Sequence, residues 1–207
     1  MGLVVVWGWI CALVGMFGSL PQVVRLLRAG TSSGVSLLMW QLLLGAGIGW
    51  TAHGINVGHP NIIVPNVMGA VFAACVLVML QRDRRLPTVK VWPWGLVVGV
   101  IMIGVELVAP PGWFGVLAVI PAAVGMVGQT RDLIRAPDIT GLSGGYIIIA
   151  VVIQVMWLSW GAAVGDLSTQ ICSTAIGLIG VVNLALWLTR IKNAEPVVAV
   201  VPEDAVV

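Results

Sequence analysis

Long apolar runs recur along almost the whole chain, and they constrain its fold more than any other feature. A helix needs about 20 mostly apolar residues to cross the hydrocarbon core of a bilayer. Only 9% of the 207 residues are charged, whereas about a quarter of the residues in a soluble domain carry a charge. The sequence therefore predicts an all-α membrane protein. Its seven predicted transmembrane helices lie at 3–24, 35–57, 61–80, 92–108, 112–130, 142–164 and 167–189.

The basic residues occupy only every second connection between these predicted helices. All ten Lys and Arg follow the first, third, fifth or seventh helix, so an odd helix count places them on one side of the membrane. Because cytoplasmic loops are enriched in Lys and Arg, that side is predicted to be the cytoplasm. We therefore predict a multi-pass protein of the cell membrane with its N-terminus outside and its C-terminus in the cytoplasm.

Two parts of the chain, 107 residues apart, are similar in sequence. The stretch "QVVRLLRAGTSSGVS" from Gln22 aligns with "QTRDLIRAPDITGLS" from Gln129, and the same register aligns Trp50 with Trp157. Parallel repeats of this kind recur in transporters, which bind substrate near the middle of the membrane at the repeat interface. The predicted domains are a first three-helix repeat, a cytoplasmic loop with a linker helix, a second three-helix repeat and a disordered cytoplasmic tail, at 1–81, 82–111, 112–190 and 191–207.

Four side chains at one predicted depth form the candidate substrate site. Each lies eight residues from a glycine in a predicted outer turn: Trp50 and Asn66 on either side of Gly58, and Trp157 and Ser173 on either side of Gly165. At 1.5 Å of rise per residue, all four lie about 12 Å below the outer turns, near the middle of the membrane. An indole covers the apolar face of a sugar ring, while an amide or a hydroxyl exchanges hydrogen bonds with sugar hydroxyls. The set favours an uncharged polyhydroxy ligand, although each residue taken singly fits a packing role.

The predicted moving parts lie toward the helix ends. Pro21 is a predicted inner hinge, because a proline inside a helix removes a backbone hydrogen bond; the alternative is that Pro21 simply ends the first helix. Gly128 and Gln129 occupy the equivalent place in the second repeat. His53 is a candidate for an outer gate, with a hydrogen-bonded structural histidine as the alternative.

The acidic residues do not suggest a proton pathway or an active site. Glu106, near the outer end of the fourth predicted helix, and Asp166, in an outer turn, are both predicted to be solvated. No pairing of a nucleophile with a base and no set of metal ligands is apparent in the sequence. We therefore expect no catalytic residue, no metal, no cofactor, no nucleic-acid partner and no enzymatic activity.

The sequence resembles the PQ-loop superfamily, most closely the SWEET and SemiSWEET sugar transporters. The resemblance rests on "LPQVVRLLRAGTSSGVS", "WTAHG", "WLSWG" and "HPNIIVPN", and on the order of three helices, one helix and three helices. It implies facilitative, bidirectional transport of a mono- or disaccharide by alternating access. It also implies that Trp50, Asn66 and Trp157 contact the sugar, and that Pro21 and Gln22 form the inner hinge.

The chain departs from the family pattern at three of the candidate residues. Gly128 replaces a proline, Ser173 replaces the usual asparagine and His53 replaces the usual tyrosine. Two other functions therefore stay open, namely a proton-coupled PQ-loop amino-acid exporter and a PQ-loop membrane receptor or scaffold that transports nothing. The expected partners are the sugar and the lipid bilayer, and a homo-oligomer is compatible with the sequence.

Overall fold

Helices account for almost the whole of the described chain. The computed structural model describes residues 2–29, 32, 35–137, 139 and 144–192, without the side chains of 17–23 and 25–29. In chain order its helices are α1 (Leu3–Ala29), α2 (Leu37–Asn56), α3 (Pro60–Asp83), α4 (Thr88–Val91), α5 (Pro93–Val108), α6 (Trp113–Arg135), α7 (Gly144–Val164) and α8 (Leu167–Lys192). The predicted all-α fold is confirmed. Seven long helices correspond to the seven predicted segments, and α4 is an additional single turn.

The length and composition of the helices suit a bilayer. Four of them, α3, α6, α7 and α8, are long and apolar enough to cross a membrane, and α5 and Leu3–Met16 of α1 are shorter apolar helices. Many large apolar side chains on these helices are exposed at the surface of the chain. A surface of this kind is stable against lipid rather than against water.

The ends of the helices follow from local sequence. The Ser36 hydroxyl caps α2 by accepting a hydrogen bond from the backbone N–H of Met39 at 3.2 Å. Pro60 and Pro93 open α3 and α5, where a missing N–H costs no hydrogen bond. The first helix is longer than predicted and runs on to Ala29, so that position 21 lies inside a helix.

The two turns that follow α2 and α7 have the same geometry. Gly58 and Gly165, 107 residues apart, both have positive φ, at +71° and +76°. Glycine adopts this conformation without strain. The next residue in each turn donates its backbone N–H to a glycine carbonyl, His59 to Gly54 and Asp166 to Gly161, both at 2.9 Å. The sequence similarity thus extends to backbone conformation.

The long helices pack as two three-helix bundles and one further helix. In the first bundle, α3 packs against α1 and α2; in the second, α8 packs against α6 and α7. The bundles meet where α1 contacts α7 and where α2 contacts α6. These two contacts are equivalent, because exchanging each helix for its counterpart in the other bundle converts one contact into the other. The linker helix α5 packs against both α2 and α6.

Glycines allow α5 to approach α2 closely. A Cβ atom at Gly45 would lie 2.6 Å from the Cβ of Val98, and one at Gly49 would lie 2.6 Å from the Cβ of Met102. Real Cβ atoms do not come this close, so the stretch "GAGIG" is required for the contact. This packing places the C-terminal part of α5 beside the C-terminal part of α2.

We expect Gly45→Ala to destabilise the protein by about 1–3 kcal/mol, since overpacking a tight helix contact forces the backbones apart. Its new methyl group would also lie 2.8 Å from the carbonyl oxygen of Gly95. The matched control is Gly104→Ala on α5, where a Cβ meets nothing within 4 Å. Thermal unfolding in detergent measures both, and equal midpoints for the two variants would contradict the packing described.

Candidate functional site

A cavity of about 350 Å³ lies between the two bundles. All four residues of the candidate substrate site, Trp50, Asn66, Trp157 and Ser173, line it. Two of them come from α2 and α3 and two from α7 and α8. The structure therefore brings these residues together, across a separation of more than a hundred residues in the sequence.

The two bundles contribute equivalent positions to the cavity wall. Seven pairs of lining residues lie 107 positions apart, as in 157 − 50 = 107: Gly15 and Ala122, Gly47 and Gln154, Trp50 and Trp157, Ile62 and Thr169, Pro65 and Cys172, Asn66 and Ser173, and Gly69 and Ile176. The cavity thus lies where the two bundles face each other. Residues of both bundles can contact a ligand in such a cavity, and movement of one bundle relative to the other changes its shape.

Most of the cavity wall is apolar, with a few polar groups. The Asn66 side-chain NH₂ donates to the Ile62 carbonyl at 2.8 Å, which fixes the amide and leaves its oxygen as an acceptor. Ser173 contributes a buried hydroxyl, and Gln154 and Thr169 contribute further polar groups. Apolar walls with a few fixed polar groups are typical of small-molecule sites.

Gln154 was missed in the sequence. Its counterpart is Gly47, so the comparison of the two repeats shows no match at this position. The available signal was a polar residue in the apolar run "YIIIAVVIQVMW", three residues before Trp157 and hence on nearly the same helix face.

The two cavity tryptophans are held by equivalent aromatic contacts. Trp50 packs edge-to-face on His53, with ring centroids 5.5 Å apart and an interplanar angle of 85°. Trp157 packs edge-to-face on Trp160 at 5.6 Å and 88°. The position three residues after each cavity tryptophan therefore supports the indole in both bundles. Such pairs stabilise beyond the area that they bury.

His53 connects three separate parts of the fold. Its Nδ1 lies 2.9 Å from a Glu106 oxygen on α5, and its Nε2 lies 3.1 Å from Oδ2 of Asp166, in the turn before α8. Its ring stacks on Phe114 of α6 at 4.7 Å. Since both ring nitrogens face carboxylate oxygens, the imidazolium, which donates from both nitrogens, satisfies the whole arrangement. We call His53, Glu106 and Asp166 the histidine cluster.

The prediction that Glu106 and Asp166 are solvated was wrong. Their side chains are 7% and 4% exposed, and that of His53 is 3% exposed. The close packing of α5 on α2 buries Glu106 against His53, and Asn56 donates a further hydrogen bond to Glu106 at 2.7 Å. Buried charges persist only when they are paired and hydrogen-bonded, as they are here.

Asp166 has two tasks in the structure. It caps α8 by accepting hydrogen bonds from the Thr169 backbone N–H at 3.2 Å and hydroxyl at 2.6 Å. Its other contact is His53. Burial alone would raise the pKa of the Asp166 carboxyl, but the hydrogen bonds from His53 and Thr169 and the charge on His53 hold that pKa below its usual range. Asp166 is therefore an anion at neutral pH.

The end of the bundle that carries Gly58 and Gly165, here called the turn end, is closed by contacts between the bundles. Besides the bond between His53 and Asp166, the Trp7 indole donates to the Ser159 hydroxyl at 3.0 Å. The rings of His59 and Trp160 lie 5.0 Å apart, edge-to-face. These contacts join the first bundle to the second between the cavity and the turns.

The cavity extends toward the opposite end of the bundle, here called the arginine end after Arg84 and Arg190. Its lining includes Trp40 and Leu43, within two turns of the start of α2. Trp50 lies ten residues farther along the helix than Trp40. The cavity is therefore closed at the turn end and reaches toward the arginine end.

The predicted hinge residues are placed unequally. Gln129 accepts a hydrogen bond from the fully buried Asn183 of α8 at 3.1 Å, which ties it to its own bundle. Gly128 is exposed, and a Cβ there would meet nothing within 4 Å. The side chains of Pro21 and Gln22 lie outside the described residues.

We expect Asp166→Asn to destabilise the folded protein by about 1–3 kcal/mol, since it removes the anion that faces His53 and weakens the cap of α8. Because the folded protein lowers the pKa of Asp166, this stabilisation is fully present above the usual aspartate range and is lost as pH falls through the lowered pKa. Thermal midpoints should therefore show the difference from neutral pH down to about pH 4.

The control for this substitution is Asp132→Asn, which removes the same charge from an exposed position on α6. Its thermal midpoint should match that of the wild type. Equal midpoints for Asp166→Asn and the wild type at neutral pH would show that the histidine cluster does not hold the bundles together.

No family model matches the chain. The sugar transporter SemiSWEET of Escherichia coli (strain UMEA 3162-1) is 28% identical over 85 residues, which are 41% of this chain and 96% of that protein. A solved structure, the 3.7 Å resolution structure of a eukaryotic SWEET transporter, matches with a TM-score of 0.68 and 13% sequence identity. That match covers 93% of this chain and 100% of the other. The SemiSWEET relative matches about half of this chain, and the solved SWEET structure matches nearly all of it. Both matches agree with a chain that contains two similar halves.

Proposed function

We propose, from the premise that this chain is a SWEET-like multi-pass membrane protein, that it carries a small neutral sugar across the membrane. The transport is facilitative and bidirectional and proceeds by alternating access. The observation that carries this proposal is the cavity between the bundles that Trp50, Asn66, Trp157 and Ser173 line. The name of the SemiSWEET relative, a sugar transporter, supports the same substrate class.

The chemistry of the cavity suits a sugar better than an ion. The four proposed substrate-binding residues offer two indoles, an amide and a hydroxyl, and none of them is charged. Indole faces pack on the C–H faces of a sugar ring, and the free oxygen of Asn66 accepts from a sugar hydroxyl. No catalytic step is involved, because the ligand only has to bind, turn from one side to the other and leave.

The proposed domains are those predicted from the sequence: a first repeat, a loop with linker helix, a second repeat and a tail, at 1–81, 82–111, 112–190 and 191–207. The equivalent turns at Gly58 and Gly165 support this division, as do the equivalent helix contacts within the two bundles. Two repeats in one chain already enclose a cavity, so a homo-oligomer is not needed to complete the site. Most of the tail lies outside the described residues.

The proposed orientation follows the basic residues. The described Lys and Arg side chains lie at the arginine end of α3, α6 and α8 and in the connection through α4. With this end in the cytoplasm, the N-terminus is outside and the C-terminus inside. The turn end then faces the exterior, and the cavity reaches toward the cytoplasm.

The histidine cluster is the proposed outer gate. His53 joins α2 of the first bundle to Asp166 of the second, so opening to the exterior must separate this pair. The proposed inner hinges are Pro21 with Gln22 and Gly128 with Gln129. The position of residue 21 inside α1 supports a flexible point there, because proline removes a helix hydrogen bond.

The histidine cluster is also the observation that favours a second candidate, a proton-coupled amino-acid exporter. A buried imidazole between two carboxylates can bind and release a proton. However, the histidine cluster lies at the closed turn end, and none of its three residues is among those that line the cavity. A charged amino acid terminus would therefore meet no charged side chain of the described cavity lining. The sugar transporter remains the better-supported function, and the membrane receptor or scaffold is tested by the absence of flux.

We expect Trp50→Ala and Asn66→Ala to lower counterflow of labelled glucose or sucrose in liposomes at least about tenfold, since each removes a ligand contact worth about 1.4 kcal/mol. The matched control is Trp94→Ala, because that indole is 63% exposed on α5 and outside the cavity. Expression and thermal midpoints establish that all three variants fold. Full flux in Asn66→Ala would remove that residue from the site, and no sugar flux in the wild type would favour the receptor or scaffold.

Sugar counterflow should need no proton gradient. In the proposed mechanism no group of the cavity exchanges a proton with the substrate, so a pH difference across the liposome membrane supplies no driving force. The measurement compares accumulation with and without such a gradient, at the same internal pH. Accumulation of an amino acid that depends strictly on the gradient would establish the exporter instead.

A further inference from the structure

Gln154 is a polar residue of the cavity whose counterpart in the first repeat, Gly47, has no side chain. It lies on α7, eleven residues before Gly165 and thus about 16 Å from the turn end. Its side chain is half-buried and lines the cavity. A carboxamide at this depth in a membrane must bond to the protein or face an aqueous space.

The Gln154 carboxamide has no hydrogen-bond partner among the described residues. Other side-chain amides of the helices are bonded within the protein, for example Asn183 of α8 to Gln129 and the Met126 carbonyl at 3.1 Å each. Asn66 donates to the Ile62 carbonyl and keeps a free oxygen. Gln154 therefore directs both a donor and an acceptor toward the cavity.

In the first bundle, the small residue lies on α2 and the amide lies on α3. A Cβ at Gly47 would lie 3.0 Å from both the Asn66 carbonyl oxygen and the Ala70 Cβ. A side chain on α2 at this point would therefore have to displace the backbone of α3. The amide of this bundle is consequently Asn66, on the opposing helix.

In the second bundle the arrangement is reversed, with the amide on α7 and the small residues on α8. The counterparts of Asn66 and Ala70 on α8 are Ser173 and Gly177, and the counterpart of Gly47 on α7 is Gln154. A Cβ at Gly177 would lie 3.3 Å from the Cβ of Gln154. The glutamine thus packs over the gap that the glycine leaves, one helical turn from the serine.

We propose that Gln154 is the second carboxamide of the sugar site and supplies from α7 the amide that the first bundle supplies from α3. This inference rests on the proposed sugar transport and makes it more specific. Each bundle then offers one carboxamide to the ligand, Asn66 from one side and Gln154 from the other. Ser173 contributes its hydroxyl and is also small enough to let the longer glutamine reach the ligand.

This arrangement predicts that a substitution at position 173 can restore the sugar affinity lost by a substitution at position 154. Gln154→Ala removes the amide and should weaken binding of glucose or sucrose about tenfold, with flux at low sugar concentration falling equally. Adding Ser173→Asn restores an amide at the position equivalent to Asn66, and the double variant should recover most of the lost affinity. Gln81→Ala, on α3 and outside the cavity, is the control for binding: it loses hydrogen bonds to Thr88 and Trp92 but should bind the sugar as the wild type does.

The experiment combines counterflow of labelled glucose and sucrose in liposomes with titration of tryptophan fluorescence and thermal unfolding of the same purified full chains. Because the Gln154 carboxamide has no hydrogen-bond partner among the described residues, Gln154→Ala loses only side-chain packing on Gly177 and should lower the thermal midpoint slightly, whereas loss of a hydrogen bond that joins α7 to α8 would lower it more. Unchanged sugar affinity in Gln154→Ala, a large drop in its thermal midpoint, or no recovery in the double variant would overturn the inference. Absence of any sugar binding or flux in the wild type would instead overturn the proposed function itself.

Discussion

A polar group inside a bilayer must be bonded to the protein or face a cavity, and the rest of this structure depends on that constraint. Helices satisfy the hydrogen bonds of the backbone N–H and C=O groups, so the constraint applies to the polar side chains. Asn183 is bonded to Gln129 and Thr130, and His53 is bonded to two carboxylates. The carboxamide of Gln154 and the oxygen of Asn66 instead face the space between the bundles. The positions of the polar side chains thus separate the groups that hold the protein together from the groups that face the cavity where we propose that the sugar binds.

The arrangement of the two bundles explains why the cavity and its closure lie at different depths. The bundles present equivalent residues to the cavity, and the two contacts that close the turn end also join equivalent positions, since 160 − 53 = 107 and 166 − 59 = 107, but the residue types at these positions differ. His53 of the first bundle bonds to Asp166 of the second, whereas its counterpart Trp160 packs on His59. The linker helix α5 adds Glu106 to one side only. An approximately symmetric cavity is therefore combined with a closure that is chemically asymmetric, so that in the proposed mechanism ligand binding and gating fall on different residues.

Helical register and the internal repeat made much of this predictable from the sequence. Trp50, Asn66, Trp157 and Ser173 share one depth because each lies eight residues from a turn glycine, and depth survives whatever the details of helix packing. The burial of Glu106 could not be predicted in this way. It depends on which face of α5 packs against α2, which is set by glycines such as Gly45 and Gly49 rather than by hydropathy. Gln154 was not predicted for a different reason. Comparing the two repeats identifies positions that carry the same residue type, and it does not identify an amide that lies on α3 in one repeat and on α7 in the other.

The central claim is that a sugar binds between the two bundles, in contact with residues of both. An experimental structure of the full chain with bound glucose or sucrose, in detergent or in a lipid nanodisc, tests it most directly. The account predicts ligand density in the cavity beside Trp50 and Trp157, within hydrogen-bond distance of Asn66 and Gln154. Density at any other place, or bundles of opposite orientation with the two tryptophans facing lipid, would contradict it.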